Sequence, residues 1–163
     1  MTFLAFHAAE KVFAVSEVVA KRISRELMLG KDKVVVTLNS IDFDEMIPDV
    51  SRIEQLREKL KPDGTERLVM CTGNLYWAKG QVCLIDAFHI LKDEFPKLRL
   101  VLIGRGEDED MQKQHAGGLA LGDRILFAGH QLNIADWLSL ADVYVQPSVF
   151  DALPRALLEA MYM

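Results

Sequence analysis

At 163 residues, half of them hydrophobic and 26% charged, the chain has the length and composition of one soluble globular domain, or of one domain and part of another. A net charge of −5 leaves no basic footprint, so nucleic acid is not an expected partner. Cys71 and Cys83 lack metal-ligand spacing, which points to a reduced, cytoplasmic compartment, and neither an apolar run of about 18 residues nor a basic-then-apolar signal sequence is present.

Residues 2–9 are apolar and lead into a short strand at 11–15. Ser16 is an N-cap for a helix running to about Leu29, stopped by Gly30. Lys21, Arg22 and Arg25 on that helix read as a solvated basic side, with contact to a membrane surface as the second reading. Residues 33–38 form a β-branched strand that ends in the turn-prone Asn39-Ser40-Ile41-Asp42. Residues 48–51 connect to a helix that starts at a Ser51/Glu54 capping box and ends near Lys61, where Pro62-Asp63-Gly64 breaks it. A strand at 67–72, a glycine-bounded loop at 73–80 and a helix at 81–95 follow. Residues 98–103 are almost continuously apolar, as in a strand buried on both faces. Beyond Gly104-Arg105-Gly106 comes an acidic helix start, with Gly117-Gly118 weakening that helix partway along. A strand at 124–127 leads to Gly129-His130-Gln131, and Asn133 caps a helix reaching Leu140.

The chain then presents a strand at 143–145, a loop opened by Pro147-Ser148, and a helix that begins at Pro154. Pro154, Leu157, Leu158 and Met161 recur at i, i+3, i+4 and i+7 and make one apolar stripe, which puts Glu159 on the opposite side, facing water or a cleft. Asp151 sits eight positions earlier, in the loop feeding the helix start. The two acids therefore flank unpaired backbone N–H groups of the kind that attract phosphate. Taken singly, Asp151 also reads as a partner of the helix dipole, and Glu159 as a weak partner of Arg155.

Strands alternating with helices six times over predict an α/β fold, a doubly wound parallel sheet of Rossmann-like type covered on both faces. Ligands bind such sheets at the carboxyl ends of the strands. Gly104-Arg105-Gly106 is no dinucleotide fingerprint, since Glu109 stands where the third glycine belongs. It reads instead as a tight turn that lets backbone approach a ligand. Lys79, beside Gly80 in a strand-to-helix loop, can reach a phosphate as a point charge or simply face solvent. No histidine completes a triad or a metal site, and only His130 is placed near a ligand.

Six stretches, in order over nearly the whole chain, resemble the retaining, nucleotide-sugar-dependent glycosyltransferases of the group-1 type, whose GT-B architecture joins two Rossmann-like domains. They are residues 12–17 (Val-Phe-Ala-Val-Ser-Glu), 36–42 (Val-Thr-Leu-Asn-Ser-Ile-Asp), Thr72-Gly-Asn-Leu with Lys79-Gly80, 102–106 (Leu-Ile-Gly-Arg-Gly), 125–129 (Ile-Leu-Phe-Ala-Gly), and Pro147-Ser148 through Pro154 to Glu159-Ala-Met161. The resemblance implies that Asp151 faces the transferred sugar while the amides of Ala152 and Leu153 meet the diphosphate. Glu159 would accept hydrogen bonds from the ribose hydroxyls, and Lys79 would neutralise the departing diphosphate. Gly73, Asn74 and Gly104 would belong to the donor-binding loops, with Gly129, His130 and Gln131 near the base. It implies a nucleotide-diphosphate sugar (UDP-, GDP- or ADP-linked) as donor substrate, a glycan, lipid or small-molecule acceptor, no metal and no covalent nucleophile.

Four positions depart from the family pattern: Asn74 replaces an arginine, Asp151 a glutamate, Ala152 a glycine, and Ser40 the glycine of Asn-Gly. On this reading residues 1–50 are a remnant of the acceptor-side domain plus linker. Residues 51–163 are a donor-binding domain truncated at its C-terminus, and the chain alone is expected to turn over little. A nucleotide-sugar epimerase of the same architecture and a degenerate, non-catalytic binding or interaction module are the alternatives.

Overall fold

The computed structural model describes residues 2–61 and 63–163, leaving aside the side chains of residues 2, 3 and 31; Pro62, read as a helix breaker, lies outside the described residues. The chain divides into two units. One runs through Ile41 and includes Ala152–Arg155; the other comprises Asp42–Asp151 and Ala156–Met163.

In the first unit, helix α1 (Thr2–Ala8) precedes strand β1 (Val12–Ala14), helix α2 (Glu17–Glu26) and strand β2 (Val34–Val36). β1 and β2 pair in parallel from Val12↔Val34 to Ala14↔Val36. Val12 and Ala14 turn inward and Phe13 outward, the two-residue period of a strand with one buried face. Ser16 caps α2 by accepting a hydrogen bond from the Val19 N–H at 3.3 Å. The helix stops three residues earlier than expected: Met28 takes the left-handed conformation at φ 51°, whereas Gly30 has an ordinary φ of −60°.

The second unit carries α3 (Val50–Leu60), β3 (Arg67–Thr72), α4 (Gln81–Leu91), β4 (Leu98–Ile103), α5 (Glu109–Gly118), β5 (Ile125–Gly129), α6 (Ile134–Leu138) and β6 (Val143–Tyr144). Helix α7 (Arg155–Tyr162) follows. Four parallel strands stand in the order β5-β4-β3-β6. Among the described residues, every strand pairing within each sheet is parallel, but the six strands form two sheets instead of one. Alternate residues of β3 and β4 feed two cores. Cys71, Leu100 and Leu102 pack with Leu84, Ile85 and Phe88 of α4 and Ala116 of α5. Leu68, Met70, Val101 and Ile103 pack with Leu60 of α3 and Trp137 of α6. Helices cover both faces, which is why β4 needs apolar residues at nearly every position.

Several element ends differ from expectation for local reasons. The cap of α3 is Asp49, whose carboxylate accepts from the Arg52 N–H at 3.1 Å, so Ser51 lies inside the helix and no Ser51/Glu54 box forms. Helix α4 ends at Leu91, four residues short of Phe95. Gly117 and Gly118 close α5 instead of interrupting it, and Ala120 turns the chain away at φ 53°. Asn133 makes no side-chain cap; Asp136 of α6 is buried and accepts from the Asp49 N–H (2.7 Å) and Arg52 Nε (2.5 Å), tying α6 to the start of α3. In α7 the apolar stripe is not buried: no residue is fully covered, and Met161 is 75% exposed.

Candidate functional site

The strand order makes a switch point between β3 and its neighbour β6: from β3 the chain builds outward through β4 and β5, then crosses back to the other side. In a doubly wound sheet a ligand crevice opens there, at the carboxyl ends of the strands. The loop leaving β3 and the loop leaving β6 meet at this point. The Val149 and Phe150 N–H groups both donate to the Ala78 carbonyl, at 2.9 and 3.4 Å. Gly80, at φ 71°, passes so close that a Cβ there would lie 2.2 Å from the Pro147 carbonyl oxygen.

This contact joins Lys79 to Asp151. Lys79 Nζ lies 2.5 Å from Asp151 Oδ2, with both side chains about four-fifths covered (18% and 19% exposed). The ammonium also sits 6.0 Å from the centre of the Tyr76 ring. Asp151 Oδ2 accepts a second hydrogen bond, from Ser148 Oγ at 3.3 Å. Behind Ser148, Gln146 Nε2 donates to Ser148 Oγ (2.7 Å), Tyr144 OH donates to Gln146 Oε1 (2.6 Å), and Tyr144 OH lies 3.1 Å from Thr72 Oγ1. A carboxylate only accepts, so Ser148 must donate to it and take its own hydrogen bond from the Gln146 amide nitrogen. Gln146 then presents its oxygen to Tyr144, whose hydroxyl accepts from Thr72.

Burial pushes the Tyr144 phenol up to about 12, against the hydrogen bond from Thr72, and the charge of Glu159 adds to the rise. Burial also lifts the Cys71 thiol to about 12 despite the nearby Lys79 charge, so this cysteine is a neutral core residue.

The neighbouring loops are laced together by backbone. The Gly73 N–H donates to the Ile103 carbonyl (2.9 Å), the Gly104 N–H to that of Gly129 (2.8 Å), and the Leu75 N–H to that of Arg105 (3.0 Å). A Cβ on Gly104, at φ 143°, would meet the Gly73 carbonyl oxygen at 2.0 Å. The tight turn expected at Gly104 thus admits another stretch of this chain. Asn74 is exposed, while its carbonyl accepts from the side chain of Gln81, itself 1% exposed. Gly129, at φ 68°, and Arg105, Gly106, Glu107, Glu109 and Phe127 line a cleft of ≈ 490 Å³ beyond β4 and β5.

His130 is exposed, and Gln131 folds its side chain back onto the Ala128 carbonyl at 2.6 Å. Ala152 and Leu153 fall in the other unit, where the Leu153 carbonyl accepts from Asn39 Nδ2 at 2.7 Å. The sequence reading overlooked Tyr144, Gln146 and Arg105. A tyrosine and a glutamine alternating at a strand end were the available signal for the first two. Among the described residues, no group of three or more His, Cys, Asp or Glu gathers to hold a metal ion, and no helix is long and apolar enough to cross a membrane.

A parallel sheet with helices on both faces and a charged pair at its switch point defines a Rossmann-like domain. Residues 52–163 match the family model described as Glycosyl transferases group 1, and the chain belongs to this family. It is 29% identical over 131 residues to the lipopolysaccharide core biosynthesis mannosyltransferase LpsB of Rhizobium meliloti (strain 1021), covering 77% of this chain and 37% of that protein. It is 28% identical over 142 residues to the UDP-Gal:alpha-D-GlcNAc-diphosphoundecaprenol alpha-1,3-galactosyltransferase of Escherichia coli, covering 83% of this chain and 36% of that protein. Among solved structures, Anabaena Alr3699/HepE in complex with UDP and glucose superposes with a TM-score of 0.84 at 24% identity, covering 97% of this chain and 43% of that one. WaaG, a glycosyltransferase involved in lipopolysaccharide biosynthesis, superposes with a TM-score of 0.80 at 17% identity, covering 93% of this chain and 41% of that one. These superpositions show a shared GT-B fold. The chain spans little more than a third of the length of these curated relatives.

Proposed function

We propose that this chain supplies the donor-binding part of a retaining glycosyltransferase that takes a hexosyl group from a nucleotide-diphosphate sugar. Residues 51–163 bind the donor; residues 1–50 are the end of an acceptor-side domain and its linker. The observation that carries the reading is the Lys79–Asp151 pair, drawn from two different loops to the switch point of the sheet. Lys79 exchanges its carboxylate partner for the diphosphate and neutralises the charge that develops as the nucleotide leaves. Asp151 then faces the sugar, where a carboxylate favours positive charge growing at the anomeric carbon.

Glu159 accepts hydrogen bonds from the ribose hydroxyls, bonds to a charged group that contribute about 1.5–3 kcal/mol. Gly73, Asn74 and Gly104 line the phosphate side, and Gly129, His130 and Gln131 lie toward the base. The reaction needs no metal and proceeds in the cytoplasm. Support for a uridine nucleotide comes from Anabaena Alr3699/HepE, solved with UDP and with UDP-glucose, and from the UDP-galactose named for the E. coli relative.

Calorimetric titration of the chain with UDP, GDP and ADP tests the reading. One nucleotide binds, and Glu159→Ala weakens it by about tenfold or more. A folded chain that binds none of them is a non-catalytic interaction module. Interconversion of a nucleotide sugar without any acceptor makes the protein an epimerase instead.

A further inference from the structure

The hydrogen-bonded row behind Asp151 has one direction. Thr72 donates to Tyr144, Tyr144 to Gln146, Gln146 to Ser148, and Ser148 to Asp151 Oδ2, where Lys79 donates from the other side. Thr72 and Tyr144 belong to paired strands, in which Met70 stands opposite Tyr144, so the row starts at the carboxyl end of β3, beside the edge strand β6. It ends at Asp151 in the loop after β6, against Lys79 from the loop after β3. Each hydroxyl of the row accepts and donates through one rotatable oxygen, whereas Gln146 carries its acceptor and its donor on different atoms, Oε1 toward Tyr144 and Nε2 toward Ser148. It is the member that sets the polarity of everything beyond it.

We propose that Gln146 is a positioning residue for Asp151: acting through Ser148, it aims a hydroxyl proton at Oδ2 and so orients the carboxylate that faces the ligand. This rests on the donor-site reading above for what that ligand is, but not for the orientation itself. In a network of this kind each bond polarises the next, and the ends respond to changes in the middle. Replacing Gln146 by leucine removes both of its bonds. Replacing it by glutamate keeps the size but supplies acceptors only, so the Ser148 hydroxyl turns toward the new carboxylate and away from Asp151.

The test reads the side-chain carboxyl carbon of Asp151 by NMR in the wild-type chain and in Gln146→Leu, Gln146→Glu, Ser148→Ala and the Gln146→Leu/Ser148→Ala double variant. Positioning through Ser148 displaces the Asp151 signal in every single variant, and the double variant matches Ser148→Ala alone. An unmoved signal, or effects of Gln146→Leu and Ser148→Ala that simply add, overturns the proposal. In parallel, Gln146→Glu lowers affinity for the intact nucleotide sugar by about tenfold while affinity for the nucleoside diphosphate stays within about twofold. Equal loss of both ligands marks a general structural role and overturns it as well. A wild-type chain that binds neither ligand refutes the donor reading only, and the NMR cycle then decides the positioning role by itself.

Discussion

A methyl group on Gly104 would lie 2.0 Å from the Gly73 carbonyl oxygen, and the backbone there has φ 143°. Neither feature can relax at low cost, because the obstacle is main chain and the conformation belongs to glycine. Gly104→Ala is expected to lower stability in urea unfolding by about 3 kcal/mol or more. Gly117 gives the opposite case: it sits in α5 with nothing within 4 Å of an added Cβ. Gly117→Ala should raise stability by about 0.5–1 kcal/mol through helix propensity alone. The need for glycine at 104 was legible in the sequence as a tight turn. What approaches it was not, since a short motif carries no information about which distant backbone will lie against it. Lys79 was equally ambiguous as a single residue; its meaning comes from Asp151, 72 positions away.

Asp142 shows how one carboxylate joins elements. It stands just before β6 and accepts from Lys61 after α3 (2.5 Å), from Arg67 at the start of β3 (2.7 Å) and from the Leu68 N–H (2.8 Å). Partial burial works to raise its pKa, but the bonds from Lys61, Leu68 and Arg67 outweigh it and hold the group at about 2. Because the folded value lies below the unfolded one, the stabilisation is fully present above about pH 4 and disappears as the pH falls through about 2. With Arg67 largely in solvent, the contribution is about 1–2 kcal/mol. Urea midpoints followed from pH 7 to pH 2 should fall less steeply below about pH 4 in Asp142→Asn than in wild type, the variant starting lower at pH 7. Element ends taught the same lesson as these contacts. Ser51 and Glu54 have the spacing of a capping box, yet Asp49 caps α3, because α6 brings Asp136 against the Asp49 N–H and draws the helix start two residues earlier.

At the scale of the whole molecule the two sheets differ in how their edges are protected. β4 has a strand on each side and helices over both faces, whereas among the described residues β1 and β2 pair only with each other and pack against α2. Two-stranded pairs are marginal by themselves, and stability is distributed unevenly through a structure. Native-state hydrogen exchange should therefore show the slowest amides in β3 and β4, with β1 and β2 exchanging at least about tenfold faster. Uniform protection across all six strands would contradict this.

The bounds of β3 and β4, the alternation of strands and helices, and the glycine-marked loops were all readable from residue pattern, because periodicity and turn chemistry are local properties. The family, too, was readable from short stretches in order. The order β5-β4-β3-β6 was not present in that pattern. A run such as 67–72 announces a strand without naming its neighbours, which are chosen when apolar faces on both sides find cover at once. That choice set β6 beside β3. It carried Asp151 to Lys79 and turned Tyr144 and Gln146 from strand-end residues into members of a hydrogen-bonded row. Local sequence supplied the chemical groups; long-range packing decided which of them meet.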